Sequence, residues 1–396
     1  MKVAIAGAGI GGMTAAIAFA RIGASVVLLE QAGELTEVGA GLQLSPNAVN
    51  ALRAMGADAR VRETATMVER LEMRDGRSGD RIFAIPMGAA AERRYGAPYL
   101  HVHRADLLQA LTDIALSYET VTLRLGARVV GVAQSRAEAR AGLDNGDIVA
   151  ADILLGADGV RSAVRRQTLH AGAPRFTGCV AWRLTVPAEG LDAVFPDRAA
   201  SVWVGPNRHA VTYYLRDGGL MNFVGVTEGD TFDVESWHET GDLDHVRAAF
   251  SDWAQPLQDV LGRAASCNRW ALYDRDALPY WSEGRVTLLG DACHPMMPFQ
   301  AQGAAMAIED AYVLARCVEE GKADIPAALR RYDALRRPRT TRVMESARAN
   351  RAIFHRAGAL SQLATYGPMK IADRLLPGFV HSRQDWIYAH DVTAMS

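Results

Sequence analysis

The chain of 396 residues is long enough for one large or two interleaved domains, each with its own core. Its composition, 49% hydrophobic and 22% charged, is that of an ordinary soluble globular protein, and a net charge of -2 supplies no basic surface for nucleic acid or an anionic membrane. Cys179, Cys267, Cys293 and Cys317 are widely spaced and form no CxxC or Cys/His pattern, so they read as reduced thiols of a cytoplasmic protein, with no disulfide framework and no metal site.

The first predicted element is an apolar strand, Lys2 to Ala6, which feeds a helix from about Gly11 to Ile22; Gly23 ends the helix, and Ser25 to Glu30 forms the next strand. The uncharged run from Val3 to Ala20 superficially resembles a signal peptide or membrane span. It is interrupted by four glycines and changes from a strand to a helix pattern at the turn, an organisation that targeting peptides do not need. Within VAIAGAGIGGMTAAIAFA, Gly7, Gly9 and Gly12 form a GxGxxG turn between strand and helix. Glycines allow the tight bend and the close approach of backbone to a pyrophosphate, whose charge the helix N-terminus stabilises. Glu30, 18 residues beyond Gly12, stands where a carboxylate accepts hydrogen bonds from ribose hydroxyls and repels a 2'-phosphate.

A glycine-rich loop, VGAGLQLSPNA, follows, with Pro46 opening a helix through Met55. Residues 69–98 break into short strands and turns. RADLLQALTDIAL then forms a helix after Arg104, and strands are expected at Val121 to Leu125, Ala127 to Ala133 and Asp147 to Leu155. In ILLGADGVRSAVRR, Asp158 and Gly159 end an apolar strand and Arg161 and Ser162 enter a helix; taken alone, Asp158 is equally a turn residue and Arg161 a surface charge. From about Ala173 to Tyr273 the stretches SVWVG, HAVTYYLR and LMNFVGV alternate with turn signals, which predicts a largely antiparallel sheet. Strand alternation puts His209, Val211 and Tyr213 on one face of it.

After Arg285 the α/β pattern resumes. The strand Val286 to Leu289 ends at Gly290 and Asp291, and Gln302-Gly303-Ala304-Ala305 opens a helix to Cys317 or beyond. Asp291 is open to two readings, a turn cap or a ligand for sugar-like hydroxyls such as the ribityl chain of a flavin. His294 lies close by, but no serine sits in a GxSxG elbow, so a hydrolase triad is not expected. The stretch LRRYDALRRPRTTRVMESARANR interleaves bases with acids and reads as a solvated or intersubunit helical face, which leaves a homodimer open.

Two phased strand-helix junctions suit a long cofactor laid across one sheet, which points to FAD rather than a freely exchanging nicotinamide. The expected fold is α/β (α+β overall). A Rossmann-like FAD-binding domain built from residues 1–68, 99–172 and 274–396, with a helical C-terminus, is interleaved with an antiparallel-sheet substrate domain of residues 69–98 and 173–273. The cleft between them is the default place for chemistry.

The GxGxxG with Glu30, the Asp158-Gly159 pair and the Gly290-Asp291 pair together resemble the single-component (group A) FAD-dependent aromatic monooxygenases, the fold of para-hydroxybenzoate hydroxylase. GAGLQLSPNAVNAL, HRADLLQAL, LLGDACHPMMPFQAQGAAMAIEDAYVLA and the closing DWIYAHD resemble the salicylate hydroxylase branch, and the likeness spans essentially the whole chain. The resemblance implies that Gly7, Gly9, Gly12, Glu30, Arg104 and Asp291 contact FAD, that Gly303 and Ala304 lie beside the flavin ring, and that Asp158 serves both FAD binding and nicotinamide use. It implies hydroxylation of a phenolic or aromatic-acid substrate with NADH or NADPH and O2, through a flavin C4a-hydroperoxide. His209 and Tyr213 resemble the histidine and tyrosine that some hydroxybenzoate and hydroxynicotinate hydroxylases place near the substrate, as base and orienting group. Pro298 and Phe299 are expected to face the substrate pocket, and they stand where some relatives carry His or Gln facing the substrate, so a specific substrate does not carry over. The alternatives are the same fold acting on a non-aromatic or polycyclic substrate by hydroxylation or epoxidation, and a flavin-binding regulatory protein without turnover.

Overall fold

The computed structural model describes residues 1–35, 40–169, 174–195, 197–229 and 239–394. Val38 and Gly39 of the glycine-rich loop, and the expected boundary at residues 172 and 173, lie outside them. Three separated stretches of chain build a six-stranded sheet in the order Ser282–Glu283, Val286–Leu288, Ile153–Gly156, Lys2–Ala6, Ser25–Leu29 and Val121–Arg124. All neighbours are parallel except the first pair. Helices Ile10–Arg21, Arg104–Leu116 and Gly303–Glu320 share its core, so its central strands are continuous apolar runs, as a sheet covered on both faces requires. Gly11 permits a close contact of the first helix: a methyl group there would come within 2.7 Å of Leu289 Cδ2. The first glycine turn therefore sits directly against the junction at Gly290.

The second sheet has eight strands, in the order Glu239–Gly241, Cys267–Asp274, Arg175–Pro187, Leu220–Glu228, Arg208–Leu215, Ala199–Gly205, Arg70–Asp75 and Arg81–Pro86. It is antiparallel except between Ala199–Gly205 and Arg70–Asp75. One face packs Trp182, Leu184 and Phe223 against Val246, Phe250, Leu257 and Val260. Several of these lie on two helices, Leu243–Ala249 and Gln255–Arg263, that the strand pattern of this region did not suggest. The other face packs Val204, Val226 and Trp270 against Met297, Phe299, Ala347 and Phe354.

Two local expectations need correction. The expected strand from Asp147 to Leu155 is two strands. Ile148–Ala151 joins a small antiparallel sheet with Ala139–Leu143 and Val129–Gln134, and Ile153–Gly156 joins the parallel sheet. Asp152 makes the break: its carboxylate accepts from the Lys2 N–H at 2.7 Å and its own N–H donates to the Lys2 carbonyl at 2.9 Å. The arginine-rich stretch is not simply a solvated or intersubunit face. It lies in the helix Ile325–Phe354, which runs from the first core to the second sheet, where Ala347 and Phe354 are buried. Arg336 is fully buried and pairs with Glu309 and Asp310 at 2.7 Å each, and Arg339 pairs with Glu309 at 2.8 Å. The acids that neutralise these bases lie on the preceding helix, some 26 to 30 residues away, beyond any i,i+4 pattern.

Candidate active site

Each glycine of the first turn has its own reason. Gly7 has φ +97°, and a Cβ there would lie 2.4 Å from the Ala157 carbonyl oxygen; at Gly12 it would lie 2.0 Å from the Gly7 carbonyl oxygen. A Cβ on Gly9, the N-cap of the helix Ile10–Arg21, would meet nothing within 4 Å, and Gly9 lines a cavity of about 380 Å³. Glu30 closes the turn, accepting from the Ala8 N–H at 2.8 Å and the Ala32 N–H at 3.0 Å.

The same cavity is lined by Arg104, Gly290, Asp291, Gln302, Gly303 and Ala304. Asp291 presents its surface inside the cavity, where burial pushes its carboxyl up against the opposing pull of His294 and Arg104. Gly303 opens the helix Gly303–Glu320 without a side-chain cap, leaving first-turn N–H groups beside the cavity. Gln302 holds that end in place, its amide donating to Ser45 Oγ at 2.9 Å. Asp158 is placed differently. One carboxylate oxygen caps the helix Ala163–Leu169 by accepting from the Ala163 and Val164 N–H groups at 2.7 and 3.1 Å. Its neighbours Ala157, Gly159, Val160 and Arg161 line the cavity.

The opposite wall comes from the eight-stranded sheet. His209, Val211 and Tyr213 all face the cavity, the side on which alternation places them. His209 is 2% exposed, its Nδ1 lies 2.7 Å from Nε2 of His355, and His355 Nδ1 lies 2.5 Å from a Glu228 carboxylate oxygen. Burial, reinforced by His355, holds His209 well below the usual imidazole pKa. Burial raises the Tyr213 phenol against the pull of Arg183, and its ring packs on His101 with centroids 4.3 Å apart. Gly41 makes room for it, since a methyl there would lie 2.8 Å from the Tyr213 hydroxyl.

Pro298 lines the cavity, but Phe299 lies behind the wall. The turn Pro298–Gln300 carries its ring into a cluster with His209, Phe354 and His355, at centroid distances of 4.9, 6.3 and 5.7 Å. The expectation that Phe299 faces the substrate is therefore replaced by a packing role behind His209.

The chain matches the family of FAD-binding domains across residues 1–347. It belongs to that family. It is 36% identical to the 3-hydroxybenzoate 6-hydroxylase of Klebsiella oxytoca over 363 residues, 92% of this chain and 91% of that protein. It is 35% identical to the 3-amino-4-hydroxybenzoate 2-monooxygenase PtnB3 of Streptomyces platensis over 378 residues, 94% and 93% of the two chains. The structure of Klebsiella pneumoniae HpxO with FAD and uric acid matches with a TM-score of 0.82 at 28% identity, covering 96% of this chain and 95% of that one. The chain is an FAD-dependent monooxygenase of aromatic substrates, with NAD(P)H as co-substrate.

The residues of this monooxygenase fit an FAD. Open space at Gly9 admits a phosphate to the helix amides, and the second Asp158 oxygen is buried with no hydrogen-bond partner among the described residues. A Gly12→Ala variant is expected to lose roughly 1–3 kcal/mol to the clash with Gly7, with a lower FAD-to-protein absorbance ratio after gel filtration.

Two arginines at the site escaped the sequence, Arg183 in the cavity lining and Arg165 buried in the core beside it. Arg183 lines the cavity with its guanidinium 3.7 Å from the Trp270 ring centroid. Arg165 donates to the Ala292 and Val160 carbonyls at 2.8 and 2.7 Å, tying together the junctions at Asp158 and Asp291; burial lowers its pKa to about 10. A basic pair in VRSAVRRQ gives no sign of which arginine turns inward. Cys293, His294 and Asp310 also come together in the core, but His294 is already joined to Asp310 at 2.5 Å and Arg336 neutralises that carboxylate.

Proposed function

We propose that Gly7, Gly9, Gly12 and Glu30 hold the ADP half of FAD, that Arg104, Asp158 and Asp291 contact its pyrophosphate and ribityl portions, and that Gly303 and Ala304 lie beside the flavin ring. On this reading a phenolic aromatic acid binds between that ring and His209 and Tyr213. Residues 1–68, 99–172 and 274–396 serve the cofactor, and 69–98 and 173–273 serve the substrate. The observation that carries it is the single cavity with Gly9, Asp291 and Gly303 on one wall and His209, Val211 and Tyr213 on the other.

When bound, the flavin supplies the chemistry of NAD(P)H oxidation and O2 activation. The chain's own residues prepare the substrate. A phenol becomes a stronger nucleophile as its phenolate, and His209, neutral at ordinary pH, accepts its proton. Tyr213, kept protonated, donates a hydrogen bond that orients the oxygen. Val211, Val224, Met297 and Leu272 give the ring an apolar wall that disfavours water.

The two hydroxybenzoate-acting relatives support a ring bearing both a hydroxyl and a carboxylate. HpxO, solved with uric acid, supports a second reading, an oxidised heterocycle. Purified protein is expected to be yellow, and hydroxybenzoates are expected to accelerate NAD(P)H oxidation with hydroxylated product seen by mass spectrometry. Colourless protein that FAD cannot reconstitute would sink the reading; acceleration by urate alone would select the second.

A homodimer is the proposed assembly. Leu360, Leu363, Ile371 and Leu375 stand exposed along the helix Ala359–Leu375, a stripe suited to a second copy. Four buried thiols support a cytoplasmic location, and no helix among the described residues is long and apolar enough to cross a membrane.

A further inference from the structure

We propose that His355 and Glu228 form a proton relay that takes the substrate's proton from His209 out of the cavity, an inference that rests on His209 being the base. The three groups come from separate parts of the chain: His209 from the strand Arg208–Leu215, Glu228 from the end of the strand Leu220–Glu228, and His355 from the C-cap of the helix Ile325–Phe354. They form one line of hydrogen bonds, 2.7 Å and then 2.5 Å long, from the cavity wall to a carboxylate that is about a quarter exposed.

The end group sets the direction of every bond. Burial works against ionisation of Glu228, but hydrogen bonds from Arg351 and His355 outweigh it and keep its pKa low, so it is a carboxylate and can only accept. His355 must then carry its hydrogen on Nδ1. Burial lowers His355 despite the pull of Glu228, so it is neutral and its Nε2 is a lone pair. His209 must therefore donate from Nδ1, which leaves its Nε2 as the acceptor for the cavity. A remote carboxylate thus selects the tautomer a base needs.

The proton count closes. The phenol O–H bond breaks and its proton joins His209 Nε2; the Nδ1 hydrogen of His209 passes to His355 Nε2; and the Nδ1 hydrogen of His355 passes to Glu228 and on to solvent. Substrate leaves the step as phenolate, and nothing is oxidised or reduced. Phe299 and Phe354 pack on His209, and among the described residues the titratable or charged neighbours of the line are Glu228, Arg351 and the thiol of Cys179, which burial pushes up.

The test uses FAD holoenzyme and 4-nitrophenol, whose phenolate absorbs in the visible, followed by stopped-flow difference absorbance. Wild type is expected to ionise the bound probe, whereas His355→Phe and Glu228→Gln do so at least about tenfold more slowly. In both variants FAD content and probe dissociation constant should be unchanged, and the acid limb of the ionisation profile should move. A variant that keeps its FAD and ionises the probe at the wild-type rate with the wild-type pH profile overturns the relay. Should both variants fail to fold, nitrogen-15 spectra of histidine-labelled wild type decide: His209 and His355 must both be Nδ1–H tautomers, and any other pair overturns it. Failure of the underlying reading looks different. Wild type that leaves the probe protonated, or a His209→Asn variant that ionises it as fast as wild type, removes His209 as base and the relay with it.

Discussion

Replacing His209 by asparagine is expected to lower coupled hydroxylation of a phenolic acid by about a hundred- to ten-thousandfold, the usual worth of a positioned general base. Asparagine keeps a donor towards His355 but has no lone pair where Nε2 meets the cavity, so packing on Phe299 and Phe354 is disturbed little. FAD content and the unstimulated rate of NAD(P)H oxidation should stay near wild type, because His209 lies on the wall opposite the glycine turn. The loss should fall on kcat more than on KM. The pH profile carries a further sign. The neutral imidazole is the active form and burial depresses its pKa, so wild-type activity should persist below the ordinary histidine range and fall only at markedly lower pH. An acid limb at an ordinary histidine pKa, or unchanged turnover in the variant, would show that another group takes the proton.

Arg336→Met is expected to cost about 3–5 kcal/mol, read as a lower urea midpoint, because it removes the cation shared by two buried carboxylates and leaves Glu309 to Arg339 and Asp310 to His294 alone. Arg336 neutralises both Glu309 and Asp310, and Glu309 also joins Asn47 at 2.6 Å and Arg339, which donates to the Trp386 and Ile387 carbonyls. The network thus ties the closing segment and the helix Pro46–Ala54 to the helix whose first turn borders the cavity. Burial alone would raise the Glu309 carboxyl, but Arg336 and Arg339 more than offset it and bring it down to about 2. A folded pKa below the unfolded value means stability that is present above the unfolded carboxylate pKa and lost as pH falls from about 4.5 towards 2. Wild type should weaken over that window. Arg336→Met should weaken less there, since its less neutralised acids take up protons more readily, and a variant with the wild-type midpoint at pH 7 would contradict the burial argument.

The proposed cofactor half of the site was legible because its chemistry is local. The turn at Gly7, Gly9 and Gly12, the strand before it and Glu30 lie within one run of about thirty residues, and the required bend is itself a sequence signal. The face shared by His209, Val211 and Tyr213 was legible for a related reason: side chains alternate along any strand. Phe299 was misjudged because a single turn of 3₁₀ helix rotates it off the wall, and no periodicity records so short an element. Arg336 was misjudged because its acids lie on another helix. His355 gave no local signal at all.

By itself, then, the sequence determined the two strand-helix junctions, the class of cofactor they suit and the sheet face that opposes them. Backbone geometry and side-chain periodicity act over a few residues, and they suffice for each of these. Only the tertiary structure decided which distant groups meet: Gly11 against Leu289, Arg336 between Glu309 and Asp310, and His209 in line with His355 and Glu228. Those contacts depend on how whole sheets and helices pack, a cooperative outcome in which burial, not neighbouring sequence, sets the partner and the charge of each group.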